Sequence, residues 1–309
     1  MKFGIHLPHF GPLVSGEGTV ALARRAEALG LDSVWVGDHL LYPVQFAERF
    51  GAEFYEAVTT LTYVAAVTSR IGIGTAVLIL PYRNPVVLAK QLATLDALAP
   101  GRLMVGVGVG WMAEEYAAVG APFAERGQAT DESLQVMRAL WTQERPAFSG
   151  RRFRFADVLF APRAVQRRSP PIWVGGNSPR ALRRAAELGD GWFPIWHAPT
   201  RRGFTPEALG EKIAELGELG GKAGRGIRYE VAGLMPLAIL DRRPTAEETQ
   251  PLVGPPDLLA EMLRRYREAG LGHAILSPYY GLTPERLPKT LAEVEKILER
   301  FVRDVRPHV

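Results

Sequence analysis

The hydrophobic pattern of the chain repeats one unit. A short apolar, β-branched run ends at a polar or glycine-rich turn, and a segment with apolar residues every three or four positions follows. Ile71-Gly-Ile-Gly-Thr-Ala-Val-Leu-Ile-Leu-Pro-Tyr-Arg-Asn-Pro85 shows it most clearly: a continuous apolar strand breaks at a Pro and an Asn-Pro, and a helix pattern runs over 86–98. A strand apolar on both faces that feeds a loop and then a helix is one βα unit of a parallel sheet. The same reading predicts strands at 3–7, 33–36, 71–80, 102–107, 171–174, 191–195, 229–240 and 273–276. Helices are predicted at 18–29, 56–68, 86–98, 112–119 with 123–141, 179–188, 206–219, 257–269 and 284–302. Eight strands, each followed by a helix or a helical insertion, favour an α/β fold of the (β/α)8 TIM-barrel class over an open doubly wound sheet.

Two stretches break the rhythm. Residues 38–54 are too long for a plain connection, which points to a functional loop. Within about 145–168, Phe148-Ser-Gly-Arg-Arg-Phe-Arg-Phe155 alternates around Ser-Gly and predicts a hairpin or lid. Without linker composition or a short repeat, the simplest organisation is a single domain over 1–309 with that insertion.

Composition narrows the setting. Apolar content of 47% and charged content of 23% are those of a globular protein. No apolar run approaches membrane-spanning length, and the chain opens directly on a strand pattern, so a cytoplasmic protein without export signal or membrane partner is expected. The absence of cysteine removes disulfides, thiolate metal sites and a Cys nucleophile. The net charge of +4 comes from Arg pairs scattered along the chain rather than from a basic block. Solvated helix faces and loop rims are expected, with no nucleic-acid surface, and the excess suits an anionic small ligand.

In such a barrel, chemistry sits just after the strands. Gly37-Asp38-His39 closes the second strand, where a His can bond a ring or exchange a proton; a His bonded to a neighbouring carbonyl is the alternative. Gly74-Thr-Ala-Val-Leu78 marks either a bulge approached by a ligand or a barrel layer of small side chains. Val105-Gly-Val-Gly-Val-Gly110 closes the fourth strand. Its Gly108-x-Gly110-x-x-Ala113 spacing, with Asp131 beyond, imitates a dinucleotide fingerprint, but three βα units precede it, and glycines admitting a flat ring fit the position better. Trp173-Val-Gly-Gly-Asn-Ser-Pro179 leads into a helix start open to phosphate, with Arg180 nearby; the alternative is an ordinary cap. His6 and His9 form His-x-x-His, but the carboxylate and further His residues of a metal-dependent barrel hydrolase do not follow in place, so no metal is expected. No Ser/His/Asp arrangement emerges. A glycine-walled pocket with one good His and few nucleophiles calls for a bound cofactor.

The pieces Phe3-Gly-Ile-His-Leu-Pro8, Ala28-Leu-Gly-Leu-Asp-Ser-Val-Trp-Val-Gly-Asp-His39, Gly74 to Pro85, Lys90-Gln-Leu-Ala-Thr-Leu-Asp96, Gly101 to Trp111, Pro171 to Ser178 and Gly189-Asp-Gly-Trp192 come in an order that resembles the bacterial-luciferase-like family of flavin and deazaflavin oxidoreductases, most closely its coenzyme F420-dependent branch. The resemblance implies a hydride transfer between F420 and a small organic substrate, with an FMN-dependent monooxygenase using O2, or a non-catalytic flavin-binding protein, as alternatives. It implies a non-prolyl cis peptide at Ala76–Val77 behind the ring, Asp38 and His39 beside the ring with His39 as the catalytic residue, Gly108 and Val109 at its border, and Gly175, Gly176, Asn177 and Ser178 at the phosphate. It also implies a homodimer through the second and third helices. Arg167, Arg168, Arg201 and Arg202 could form a basic rim for the anionic tail, and Trp196, His197, Tyr279 and Tyr280 could shape the substrate pocket. Where a sugar-phosphate-oxidising relative carries a carboxylate after the fourth strand, this chain has Trp111, which argues against that substrate; Glu114 and Glu115, on the next helix, are expected to face solvent.

Overall fold

The computed structural model describes residues 1–47, 51, 53–163, 165–166, 169–196, 204–245 and 250–309. Its strands are β1 (Lys2–His6), β2 (Ser33–Val36), β3 (Gly72–Ile79), β4 (Leu103–Gly108), β5 (Phe148–Ser149), β6 (Arg154–Phe155), β7 (Ile172–Gly175), β8 (Gly191–Phe193), β9 (Glu230–Ile239), β10 (Leu252–Gly254) and β11 (His273–Ser277). Its helices are α1 (Gly16–Ala28), α2 (Ala57–Val67), α3 (Pro85–Leu98), α4 (Ala113–Ala118), α5 (Arg126–Thr142), α6 (Pro179–Leu188), α7 (Pro206–Lys222), α8 (Pro256–Glu268) and α9 (Leu291–Arg300).

Eight parallel strands close a ring in the order β9-β11-β1-β2-β3-β4-β7-β8, and β8 returns to β9 through Gly191↔Glu230 and Trp192↔Val231. This is the (β/α)8 barrel that the hydrophobic repeat predicts. Three of its helices start with the same local device. Asn84, Ser178 and Thr205 each turn a side-chain oxygen onto the first-turn N–H groups, and Pro85, Pro179 and Pro206 supply the preset backbone angle. Helix α1 ends at Gly30, whose φ of +71° closes the left-handed cap that its position predicts.

The ring is filled, not hollow. Trp35, Trp173, Phe193, Ala232, Leu234 and Ile275 pack inside it, with Trp35 and Trp173 stacked at 5.3 Å. Glycines on neighbouring strands make the room. A Cβ on Gly74 would lie 2.3 Å from the Trp35 ring, and one on Gly4 would lie 2.6 Å from its Nε1. Gly191 stands in the same relation to Trp173; on the outer face of the ring Gly233 makes room for Trp196, which packs on Tyr266 of α8. For Gly74 this decides between the two sequence readings: its missing side chain serves a barrel layer.

Some boundaries differ from the hydrophobic pattern. Strand β8 stops at Phe193, because the Ile195 backbone is taken by the Asn177 side chain. Strand β10 arises where no strand was predicted, pairing Leu252 to Gly254 with Leu237 to Ile239. The last helix begins only at Leu291, capped by Thr290, after a separate 3-10 turn at Pro284–Arg286. Among the described residues, no helix is long and apolar enough to cross a membrane.

Candidate active site

A cavity of about 240 Å³ opens at the C-terminal ends of the strands. Asp38, His39, Ala76, Val77, Gly108, Val109, Gly175 and Gly176 all line it, so four separate sequence segments meet around one space. Asn177 and Ser178 stand on the adjoining turn with committed side chains. The Asn177 amide holds both the N–H and the carbonyl of Ile195, and the Ser178 hydroxyl caps Ala181 N–H. Arg180 is exposed. Arg167, Arg168, His197, Arg201 and Arg202 lie outside the described residues.

One wall is made by strand β3. Its register against β4 shifts between Thr75 and Leu78, and the Ala76–Val77 peptide is cis, at the bond that the family resemblance points to. Beside it, on the neighbouring strands, side chains are withheld: a Cβ on Gly108 would meet Val77 Cγ2 at 2.7 Å, and one on Gly175 would lie 3.4 Å from the same atom. Val77 thus packs against bare backbone, and this side of the cavity is lined by small and apolar residues, a surface that a planar ring can approach.

Asp38 is buried and does more structural work than its position suggests. Its carboxylate accepts the Ile79 N–H at 2.8 Å and a two-pronged bond from Arg83 at 2.6 and 2.7 Å; Arg83 also reaches Glu56 at 2.9 Å. Asp38 thus pins the end of the bulged strand to the end of β2.

His39 is oriented by a buried carboxylate. Its Nδ1 lies 2.8 Å from Oε2 of Glu115. The carboxylate of Glu115 is fully buried and also accepts Leu40 N–H at 2.7 Å and the Tyr82 hydroxyl at 2.8 Å. This corrects the expectation that Glu115 faces solvent: only Glu114 does, while Glu115 turns inward under the 38–54 loop. Burial opposes the charged Glu115, but His39, the Leu40 N–H and Tyr82 outweigh it and hold the carboxyl below its ordinary range. A carboxylate only accepts, so Nδ1 of His39 carries a hydrogen, and it is Nε2 that can exchange a proton.

His9 is held differently. Its Nδ1 donates to the Leu7 carbonyl at 2.8 Å and its Nε2 accepts Gly37 N–H at 2.7 Å. Burial, against that carbonyl and with a contribution from His39, pushes its pKa down to about 4. It is a neutral strut under the β2 turn.

The hairpin β5–β6 forms as its alternation predicts, with Phe148 opposite Phe155. It is tied to α5 rather than placed over the site: Arg152 and Phe153 N–H groups both reach Glu132. Its residues do not line the cavity, so the lid expectation fails for this segment. The 38–54 loop does contribute, through His39 and Phe54.

Residues 1–250 match the family model for luciferase-like monooxygenases. The chain belongs to the luciferase-like monooxygenase family. An uncharacterized protein of Mycobacterium tuberculosis is 33% identical over 224 residues, which are 69% of this chain and 74% of the relative. The F420-dependent glucose-6-phosphate dehydrogenase of Kineococcus radiotolerans is 37% identical over 175 residues, 55% of this chain and 50% of that enzyme. A monooxygenase structure from Streptomyces bottropensis superposes with a TM-score of 0.82 at 24% identity, covering 100% of this chain and 99% of that one. An F420-dependent secondary alcohol dehydrogenase in complex with an F420–acetone adduct gives 0.78 at 20% identity, covering 100% and 98%. At those identities the two structures establish the fold. As a member of this family the protein is an oxidoreductase.

Proposed function

We propose that this luciferase-like protein moves a hydride between the deazaflavin coenzyme F420 and a small alcohol or carbonyl substrate. The observation that carries the reading is His39 on the wall of a cavity with glycines among its lining residues, with its Nδ1 bound to the buried carboxylate of Glu115. The F420-dependent dehydrogenase among its relatives supports the choice of cofactor. When bound, F420 supplies a two-electron hydride acceptor or donor. Val77, Gly108 and Gly175 would form the walls around its ring, and the turn at Gly176 would lie toward its phosphate. His39 Nε2 takes the hydroxyl proton as an alcohol carbon gives up its hydride, or returns it when a carbonyl is reduced. Glu115 holds the ring in that tautomer and stabilises the imidazolium formed.

The rival reading is an FMN-dependent monooxygenase, favoured by the fold likeness to the Streptomyces enzyme. Titrating the protein separately with F420 and FMN, followed by fluorescence, distinguishes them. The expected result is saturable F420 binding at roughly micromolar concentration, with FMN much weaker. Tighter binding of FMN hands the site to the rival; no binding of either below roughly millimolar defeats both.

A further inference from the structure

We infer that the substrate side of this site takes an uncharged, apolar alcohol or carbonyl compound, and that Trp111 sets this preference against phosphorylated or carboxylated molecules. The inference rests on the proposed oxidoreductase reading for the location of the substrate, and it deepens that reading by naming a class.

Trp111 follows Gly110, whose φ of +66° turns the chain out of β4. A Cβ on Gly110 would lie 2.7 Å from Ile79 Cγ2, so the turn is pressed against the β3 end. The indole is therefore presented at the mouth: it lines the cavity, is 51% exposed, and meets the rings of His39 at 6.2 Å and Phe46 at 5.4 Å edge-on. The far wall is also aromatic. Phe10 and Phe54 stack with centroids 5.2 Å apart and planes 8° from parallel, and Phe54 turns an edge to His39 at 5.3 Å. Leu40 and Leu41, next to His39, are 40% and 45% exposed and continue the apolar surface outward.

Charge points the same way. Among the described residues lining the cavity, the ionised side chain is Asp38, already neutralised by Arg83; neither Lys nor Arg lines it. A phosphate or carboxylate entering beside His39 would shed water against aromatic rings and approach a carboxylate, which is costly without a paired cation. A neutral ring or alkyl group meets faces it can stack on, and its one hydroxyl or carbonyl oxygen can reach His39.

The test compares binding of 1-phenylethanol, cyclohexanol, glucose and glucose 6-phosphate by saturation-transfer NMR and calorimetry, on the protein with and without F420, alongside the F420 titration itself. Either apolar alcohol should bind about tenfold or more tightly than glucose 6-phosphate. Trp111→Phe should keep that ratio, and Trp111→Arg, which offers the phosphate a cation in place of the indole, should cut it several-fold while leaving the thermal midpoint near that of the parent, as suits a half-exposed side chain. Equal or tighter binding of glucose 6-phosphate overturns the inference. So does failure of both apolar alcohols to bind, or a ratio that Trp111→Arg does not move. The alcohol preference is read on cofactor-free protein too, so a failed F420 titration defeats the cofactor reading without masking this result.

Discussion

Glu114 and Glu115 are neighbours in sequence and opposites in environment. Helix α4 is only six residues long, so no apolar stripe indicates which acidic side chain faces inward. The partners of Glu115 come from Leu40, His39 and Tyr82, far away in the chain, and nothing local announces them. His39 was legible because its place after β2 is set by the barrel rule; the group that orients it was not. Glu115→Gln keeps the shape but adds an amide donor, so His39 Nδ1 must become the acceptor and the ring changes tautomer. Turnover with F420 should fall on the order of 10²- to 10⁴-fold. F420 affinity, by fluorescence titration, should stay within about threefold. A variant with near-parental turnover would remove Glu115 from the chemistry. Tyr82→Phe deletes one of several donors to the same carboxylate and should cost about tenfold or less.

At the scale of elements, the third strand was the most readable part of the chain. The break at Pro81 and Asn84-Pro85 marked the strand's end, and the small residues before it left a bulge and a barrel layer equally open; the segment holds both, with Gly74 in the layer under Trp35 and a register shift between Thr75 and Leu78. What composition could not supply is the brace. Asp38, Arg83 and Glu56 come from the β2 end, the β3 end and the cap of α2, and they join only in three dimensions. The Arg83 side chain is 13% exposed and that of Asp38 is fully buried. Arg83→Ala leaves a buried carboxylate without its partner and should lower stability by about 3–5 kcal/mol in urea denaturation. Arg83→Lys keeps the charge but loses the fork, so its loss should be smaller yet measurable. If Arg83→Ala unfolded at the parental urea midpoint, the brace would be decorative. Gly74→Ala tests the barrel layer in the same assay: the Trp35 ring has nowhere to retreat to, and a loss of about 1–3 kcal/mol is expected.

At the scale of the molecule, the eightfold alternation was enough to name the barrel, because each strand buried on both faces leaves a continuous apolar run. Strand β10 escaped notice because it is three residues long and takes its strand character from pairing with β9. Of the buried histidines His6, His9 and His273, burial pushes the pKa of His9 and His273 well down, which ties the barrel's stability to pH. His9 is the strut described above. His273 sits in a short chain of bonds: Trp35 Nε1–H donates to Ser33 Oγ at 2.6 Å, and Ser33 Oγ lies 2.7 Å from His273 Nε2. Burial, with smaller contributions from Lys2 and the amino terminus, pushes His273 down to about 3, and His9 lies at about 4. In the unfolded chain both titrate near about 6.5. Above that pH neither state holds the protons and the stability is whole. As pH falls below it the unfolded chain binds protons that the native barrel refuses, so stability drops, with a limiting slope of about 2.7 kcal/mol per pH unit for two sites. Buried carboxylates with lowered pKa, such as Glu115, add to the loss only as pH approaches their unfolded range near about 4.3. Urea midpoints between pH 6.5 and 5 therefore isolate the histidines. They should decline steadily across that interval, and His273→Gln should reduce the slope by about half. A flat profile there would mean that the two rings accept protons inside the folded barrel, which the Gly37 N–H on His9 Nε2 and the burial of His273 oppose.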